Sequence, residues 1–463
     1  MRRLSLILTL LLGAVFWPLV LQAQPRDRAW DDCEQDQDRD RQLRGCSEVL
    51  SRGNREAAAN RAIALYNRGE AHHARGNYDA AIRDYDEAIR LNPRLLLAFY
   101  NRGETHQIRG NLDAAMRDYE EAIRLNPRFA PAFYNRGLVH RARGNLDAAI
   151  RDYDEAIRLD PRLAPAFNNR GNTYRDRGNL DAAIRDYDEA IRLDPRLAQA
   201  FNNRGFVHQA RGNLDAALRD YDEAVRIDPR FALAFNNRGN AHRDRGNLNA
   251  AMRDYDEAIR LNARYAPAFN NRGAVHQSRG NHDAAIRDYT EAFRIDPGFG
   301  LAVHGRGLSY QARGNLDMAL RDFNEAIRLN PSLGLAFNSR GVTHQARGNL
   351  EAAIRDLDEA IRLSPRLAQP YNNRGNAHRD RGNLDAAIRD FDEAIRLDPR
   401  LGVAFHGRGL VYERRGNHGQ AAADFREAIR LNRETARADL ARVEAALAAQ
   451  QRPPRTGGAP GRP

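Results

Sequence analysis

An Arg-Gly-Asn tripeptide begins at Arg75 and returns at Arg109, Arg143, Arg177, Arg211, Arg245, Arg279, Arg313, Arg347, Arg381 and Arg415, in one register of 34 residues. No cycle gains or loses a residue. A period of this length marks an array of supersecondary repeats that bury their apolar faces only by stacking on neighbours. Such chains work through long surfaces rather than through one catalytic pocket.

Residues 164–197, APAFNNRGNTYRDRGNLDAAIRDYDEAIRLDPRL, show what one cycle contains. Phe167, Gly171 and Tyr174 form one helical stripe. Leu180, Ala183, Ile184, Tyr187, Ala190 and Ile191 form a second. Gly178 between them accepts the left-handed backbone that ends a helix, and Asn179 is placed to cap the next. Pro195 cannot continue the second helix. The spacing therefore predicts a helical hairpin with a short turn.

These residues resemble the tetratricopeptide repeat. Counted from Ala164, the family's pattern falls on Phe167 (position 4), Gly171 (8), Tyr174 (11), Gly178 (15), Ala183 (20), Tyr187 (24), Ala190 (27) and Pro195 (32). Eleven such repeats run over residues 62–435. The resemblance implies an all-α fold, a right-handed α-solenoid superhelix of stacked helical hairpins. It also implies that the first helices line a concave groove for peptides or partner proteins. Two departures stand out. Position 7 is Arg in every repeat, from Arg68 to Arg408, and position 23 is Asp, from Asp84 to Asp424. An antiparallel hairpin brings these positions together, so each repeat is expected to hold a pair such as Arg170 with Asp186. The family's Pro is replaced by Ala263, which is expected to loosen one junction, and by Arg433, which marks the end of the array.

All 73 basic residues are Arg, and the net charge is +11. The array itself carries only +7, less than one charge per repeat. Within a repeat the charges alternate, and Asp181 with Arg185 and Asp188 with Arg192 have the favourable acid-first i,i+4 spacing. This reads as a solvated, internally paired surface rather than a phosphate track, so no nucleic acid is expected as partner.

Residues 1–23 have two arginines, an apolar run from Leu4 to Leu21 and a cleavage site at Leu21-Gln22-Ala23, the pattern of a secretory signal. Left uncleaved, residues 4–21 would form a membrane anchor. Export to a bacterial periplasm or beyond the cell makes a Cys33–Cys46 disulfide the expectation, with two buried thiols as the alternative. Residues 24–61 read as a capping half-repeat, its helix spanning Asp38 to Ser51 and stapled by that disulfide. Residues 436–450 read as a capping helix with Ala436, Leu440, Val443 and Leu447 on one stripe. Residues 451–463 read as a disordered tail.

The repeats can be compared with one another. Positions 9, 12 and 13 change freely and share one helix face. They read Asn172, Arg175 and Asp176 in one repeat, Asn240, Arg243 and Asp244 in another, and Asn376, Arg379 and Asp380 in a third. Elsewhere position 9 is apolar, as in Leu138, Phe206, Leu308, Val342 and Leu410. By the family pattern this face lines the groove, and mixed polar and apolar bays suit an extended peptide or a partner helix. Position 6 is Asn67, Asn101, Asn135, Asn169, Asn203, Asn237, Asn271 and Asn373, interrupted by Gly305, Ser339 and Gly407. This is similar to the asparagine ladder of O-linked N-acetylglucosamine transferases, which grips peptide backbone. The other reading is bonding within each asparagine's own hairpin. Position 11 is His in eight repeats and Tyr in three. Packed helices lie about 8–10 Å apart, too far for neighbouring imidazoles to share a metal, so the row reads as aromatic packing. No catalytic constellation, cofactor or metal set emerges. The expected function is a non-catalytic protein- or peptide-binding scaffold. The alternatives are an exported subunit or regulator of an enzyme or of a secretion or assembly complex, and a nucleic-acid binder.

Overall fold

The computed structural model describes residues 27–450. The expected secretory segment at 1–23 and tail at 451–463 lie outside the described residues. Among the described residues are twenty-five α-helices and a short 3-10 turn at Gly53–Arg55, with no strand. None of these helices is long and apolar enough to cross a membrane.

Each repeat is a helical hairpin. In the fourth, Ala164–Asp176 pairs with Leu180–Leu193. Gly178 turns the chain at φ 86°, in the left-handed region that a side chain disfavours. Asn179 caps the second helix, its Oδ1 accepting from the Ala182 amide at 3.1 Å. The helices approach closely because their facing residues are small: Ala166, Ala183 and Ala190 are fully buried around the Tyr187 ring. A Cβ placed on Gly171 would lie 2.7 Å from Tyr187 Cε1, so position 8 has no room for a side chain. After the second helix, Asp194 Oδ1 accepts the Arg196 amide at 2.9 Å and closes the turn to the next repeat. The same turn forms where Ala263 replaces proline, with Arg264 N–H on Asn262 Oδ1 at 3.0 Å. The asparagine side chain closes this turn as it does beside Pro93, where Arg94 N–H reaches Asn92 Oδ1 at 3.1 Å.

The chain divides into two compact bodies, residues 1–207 and 208–463. In the first, the hairpin Arg28–Glu34 and Arg39–Ser51 packs on the first repeat through Ala29, Cys33, Cys46, Val49 and Ala64. The spacing predicted one capping helix at Asp38 to Ser51. The structure adds a seven-residue helix before it, so the cap is a shortened whole hairpin. Cys33 and Cys46 are joined as a disulfide across it, 13 residues apart. The sequence pattern concealed the extra helix because Trp30 and Cys33 alone give it apolar spacing. In the second body the last hairpin is covered by Ala436–Gln450, whose Ala436 and Val443 are buried and whose Leu440 and Leu447 pack on the Phe425 cluster.

Candidate binding surface

The arginine at position 7 is the main polar fastener of the array. Arg170 donates from Nε and Nη2 to the two oxygens of Asp186, at 2.8 and 2.7 Å. Its Nη1 donates to Asp154 of the preceding repeat at 2.6 Å, and the guanidinium lies 5.4 Å from the Phe167 ring centre. One side chain therefore fixes its own hairpin and its neighbour's second helix, which a planar five-donor fork does better than lysine. The expected pairing of Asp188 with Arg192 gives way to this scheme. Asp188 accepts from Arg204 Nη1 at 2.6 Å, and Arg192 turns to Glu189. Arg204 can reach Asp188 because stacking packs its helix against the second helix of the preceding repeat, within the span of an arginine side chain.

The turn arginines also reach back across junctions. Arg177 meets Asp147 at 2.9 Å, Arg347 meets Asp317 at 2.8 Å, and Arg279 donates to Asn249 at 2.6 Å. Much of the chain's positive charge is thus engaged by its own carboxylates.

The asparagines of position 6 bond across junctions as well as inside their own hairpins, where Asn203 and Asn271 accept from Asn202 and Asn270 at 3.3 Å. Asn101 donates to Tyr66 Oη at 3.0 Å, Asn135 to Tyr100 at 3.0 Å and Asn169 to Tyr134 at 2.7 Å. Where position 5 is Asn the partner becomes its Oδ1: Asn203 on Asn168 at 3.0 Å, Asn271 on Asn236 at 2.9 Å and Asn373 on Asn338 at 2.9 Å. Asn237 accepts from Asn236 at 3.4 Å. Asn67, in the first repeat, places Nδ2 4.0 Å from Cys33 Sγ. Ser339 does not break this ladder, since its Oγ lies 3.0 Å from His304 Nε2. Gly305 and Gly407 do break it. A Cβ at Gly407 would lie 2.5 Å from Phe391 Cε1, so the preceding ring occupies the space a side chain needs.

The Asn-Arg-Asp faces are likewise knit together. Tyr187 donates to Asn172 Oδ1 at 2.9 Å and Tyr255 to Asn240 Oδ1 at 2.8 Å. Asn376 faces Phe391, which has no hydroxyl to offer. Arg175 bonds Asp176 at 2.9 Å and covers Phe206, whose ring centre is 5.5 Å away. Asp176 also receives Arg141 at 2.8 Å. Arg243 meets Asp244 at 3.3 Å and Arg379 meets Asp380 at 2.9 Å. These carboxylates also receive Gln209 and Gln345, each at 2.6 Å.

Within each body, apolar groups on the first helices keep exposed surface. Phe206 is 48% exposed, and Leu301 and Leu335 at position 2 are each 52% exposed. Leu308, on the same helix as Leu301, is half-buried. Sequence comparison of positions 9, 12 and 13 passed over position 2, although i and i+7 lie on one side of a helix.

Two cavities sit side by side on repeats nine to eleven. One of about 450 Å³ is lined by Val342, Asn373, Asn376, Arg379, His406 and Leu410, among others. The other, of about 430 Å³, lies among Leu335, Leu367, Pro370, Leu397 and Leu401. Gln369 borders both. Pro370 stands where every other repeat has Ala. That alanine's N–H bonds the carbonyl three residues back, as Ala336 does to Leu333 at 2.9 Å. Pro370 has no N–H. The Leu367 backbone opens to ψ 124°, against 81° at Leu333, and its side chain is 47% exposed.

The position 11 histidines pack beside the Arg–Asp pairs. His140 Nε2 is 3.7 Å from Asp152 and His378 Nε2 is 3.8 Å from Asp390. Their Nδ1 atoms are buried without a hydrogen-bond partner. Burial pushes both imidazoles below their ordinary range, against the pull of the nearby aspartates. Among the described residues no three His, Cys, Asp or Glu side chains gather in an arrangement that could hold a metal ion.

Family models described as tetratricopeptide repeat match residues 62–95, 97–129, 130–163, 152–185, 266–299, 301–333, 368–401 and 403–435. A model described as TPR repeat matches 171–212, 209–243, 239–280 and 345–379. No curated protein matches the chain. Similar solved structures include the APC/C hetero-tetramer Cut9-Hcn1, 17% identical over 90% of this chain and 96% of that one, with a TM-score of 0.48. Yeast Tom70 is 17% identical over 85% and 96%, with a TM-score of 0.41. A repeat protein of Parabacteroides merdae ATCC 43184 is 22% identical over 54% and 98%, with a TM-score of 0.44.

Proposed function

Because the chain belongs to the tetratricopeptide repeat family, we propose that it is a non-catalytic scaffold that binds a protein partner or an extended peptide. The binding surface is the face of the first helices that carries positions 2, 6, 9 and 12. One observation carries the reading: Leu301 and Leu335 stand 52% exposed on this face, while Arg170, Arg177 and their equivalents are paired internally. Apolar groups gathered on one face of a repeat array mark an interaction site. We place the protein in the periplasm or outside the cell, supported by the signal pattern of residues 1–23 and by the Cys33–Cys46 disulfide, since disulfides persist in oxidising compartments. A photocrosslinking residue at position 301 or 335 tests the scaffold in its native compartment. A discrete crosslinked protein is expected, captured from position 301 and lost with Leu335→Ser, or captured from position 335 and lost with Leu301→Ser. Crosslinking to nucleic acid, or a yield that collapses with added salt, would reject the reading.

A further inference from the structure

In a chain this repetitive, departures from the repeat are informative where they gather, and three gather around the two cavities of repeats nine to eleven. Pro370 removes a backbone donor and swings Leu367 outward. Ser364, which borders the apolar cavity, replaces the Asp or Asn that closes each earlier turn. Gly407 withholds the carboxamide that would bond Asn372.

Asn372 is the second, independent observation. It lines the polar cavity and is only 3% exposed. Its Nδ2 donates to Asn373 at 3.2 Å, but its Oδ1 has no hydrogen-bond partner. The equivalent Asn338 receives Asn373 at 2.9 Å. A buried carbonyl left without a donor is costly, and an amide N–H entering the cavity would supply one. On the same helix Gln369 donates to Asn373 at 3.1 Å, and Asn376, which lines the cavity, carries a carboxamide able to donate and accept without reading sequence. The charge is complementary to an anion as well. The lining of this cavity includes Arg379, Arg433 and His406 and no carboxylate. Asp380 holds Arg379 by Nε and Nη2 and fixes its direction, and His406 bonds Asp439 at 2.8 Å.

Resting on the scaffold reading above, we propose that repeats nine to eleven hold an extended peptide with two anchors. One apolar side chain enters the cleft between Leu335, Leu367 and Leu401. One carboxylate, about four or five residues further along, meets Arg379 and Arg433. The spacing follows from the helix: Gln369 to Arg379 spans about 15 Å at about 1.5 Å per residue, which an extended strand covers in four or five residues at about 3.3 Å each. Asn372 and Asn376 bind the backbone in between.

Selection of a phage-displayed random dodecapeptide library on the full disulfide-bonded chain tests this. The selected peptides are expected to share an aliphatic or aromatic residue and an Asp or Glu at that separation. A synthetic copy, followed by fluorescence anisotropy, should lose about tenfold in affinity with Leu367→Ser and with Arg379→Gln. It should be unaffected by Arg192→Gln on an exposed second helix, with circular dichroism melts unchanged in all three. Peptides that are sensitive to Phe206→Ser or Leu301→Ser but not to Leu367→Ser, or that are rich in Arg and Lys, would overturn this site and leave the broader scaffold reading standing. No selection above an uncoated surface would overturn both.

Discussion

Arg170 holds both oxygens of Asp186, at 2.8 and 2.7 Å, while its third nitrogen reaches Asp154 in the repeat before it at 2.6 Å. Asp186 is buried, so removing Arg170 leaves a carboxylate with its partner gone. Loss of one member of a buried pair costs about 3 kcal/mol, and the partial exposure of Arg170 puts this pair at the lower end. Because stacked repeats couple chiefly to their neighbours, Arg170→Met should lower hydrogen-exchange protection in residues 146–193 and leave residues 300–330 unchanged. Adding Asp186→Leu should restore most of the protection. Uniform loss along the whole chain would contradict local coupling.

Two glycines of one repeat are required for different reasons. Gly171 has no room, with Tyr187 Cε1 2.7 Å from where its Cβ would stand. Gly178 has open space but a φ of 86°. Gly171→Ala should cost about 1–3 kcal/mol through overpacking, and Gly171→Asn should cost more. Gly178→Ala should cost about 1 kcal/mol through backbone strain, and Gly178→Asn less, because asparagine tolerates the left-handed region. Thermal melts of the four variants should therefore rank Asn and Ala in opposite orders at the two sites.

Stability should fall on mild acidification. Burial lowers the pKa of His72, His106, His140, His242, His344 and His378. The adjacent Asp of each Arg–Asp pair pulls upward, while the position 7 and neighbouring arginines push downward with burial. A base whose folded pKa lies below its unfolded value, about 6.5 for His, binds more protons unfolded. The fold is then fully favoured above about pH 6.5 and loses stability as pH drops through the folded values. The melting temperature should be lower at pH 5.5 than at pH 7.5. Changing all six to Tyr, the residue already present at Tyr174, Tyr310 and Tyr412, should flatten the difference. An equal drop in that variant would assign the effect to carboxylates.

The hairpin was legible because its determinants lie within one period. Gly178, Asn179, Pro195 and the Tyr187 stripe specify turn, cap, stop and core from local spacing, and Arg170 with Asp186 follows from folding one hairpin. What crosses a junction was not legible. Asp188 has one arginine four residues away and another sixteen away, and only stacking selects Arg204. Asn169 finds Tyr134 one repeat back, a partner that no intrarepeat spacing indicates. The cavities beside Asn372 and Leu367 arise from missing groups, a proline's N–H and a glycine's side chain. Their signal was a coincidence of exceptions at Ser364, Pro370 and Gly407 rather than a motif.

The disulfide should stabilise one end of the chain and not the whole. Cys33 and Cys46 are buried among Ala29, Val49 and Ala64, and Asn67 of the first repeat rests against Cys33 Sγ at 4.0 Å. Their 13-residue separation corresponds to about 3 kcal/mol of unfolded-state constraint in the chain-entropy picture. That is a large share of what two short helices can supply by packing. Reduction should therefore release the hairpin at Arg28–Glu34 and Arg39–Ser51, then expose the first repeat's Ala64 and Leu65 side. Fraying should be arrested within a repeat or two, where the Arg102 bonds to Asp86 and Asp118 are intact. Hydrogen exchange with and without reductant should show lost protection in residues 28–74 and none in residues 130–200. Cys33→Ser with Cys46→Ser should reproduce the reduced profile. If protection is lost through residue 200, the N-terminal hairpin supports the body it begins rather than only its edge.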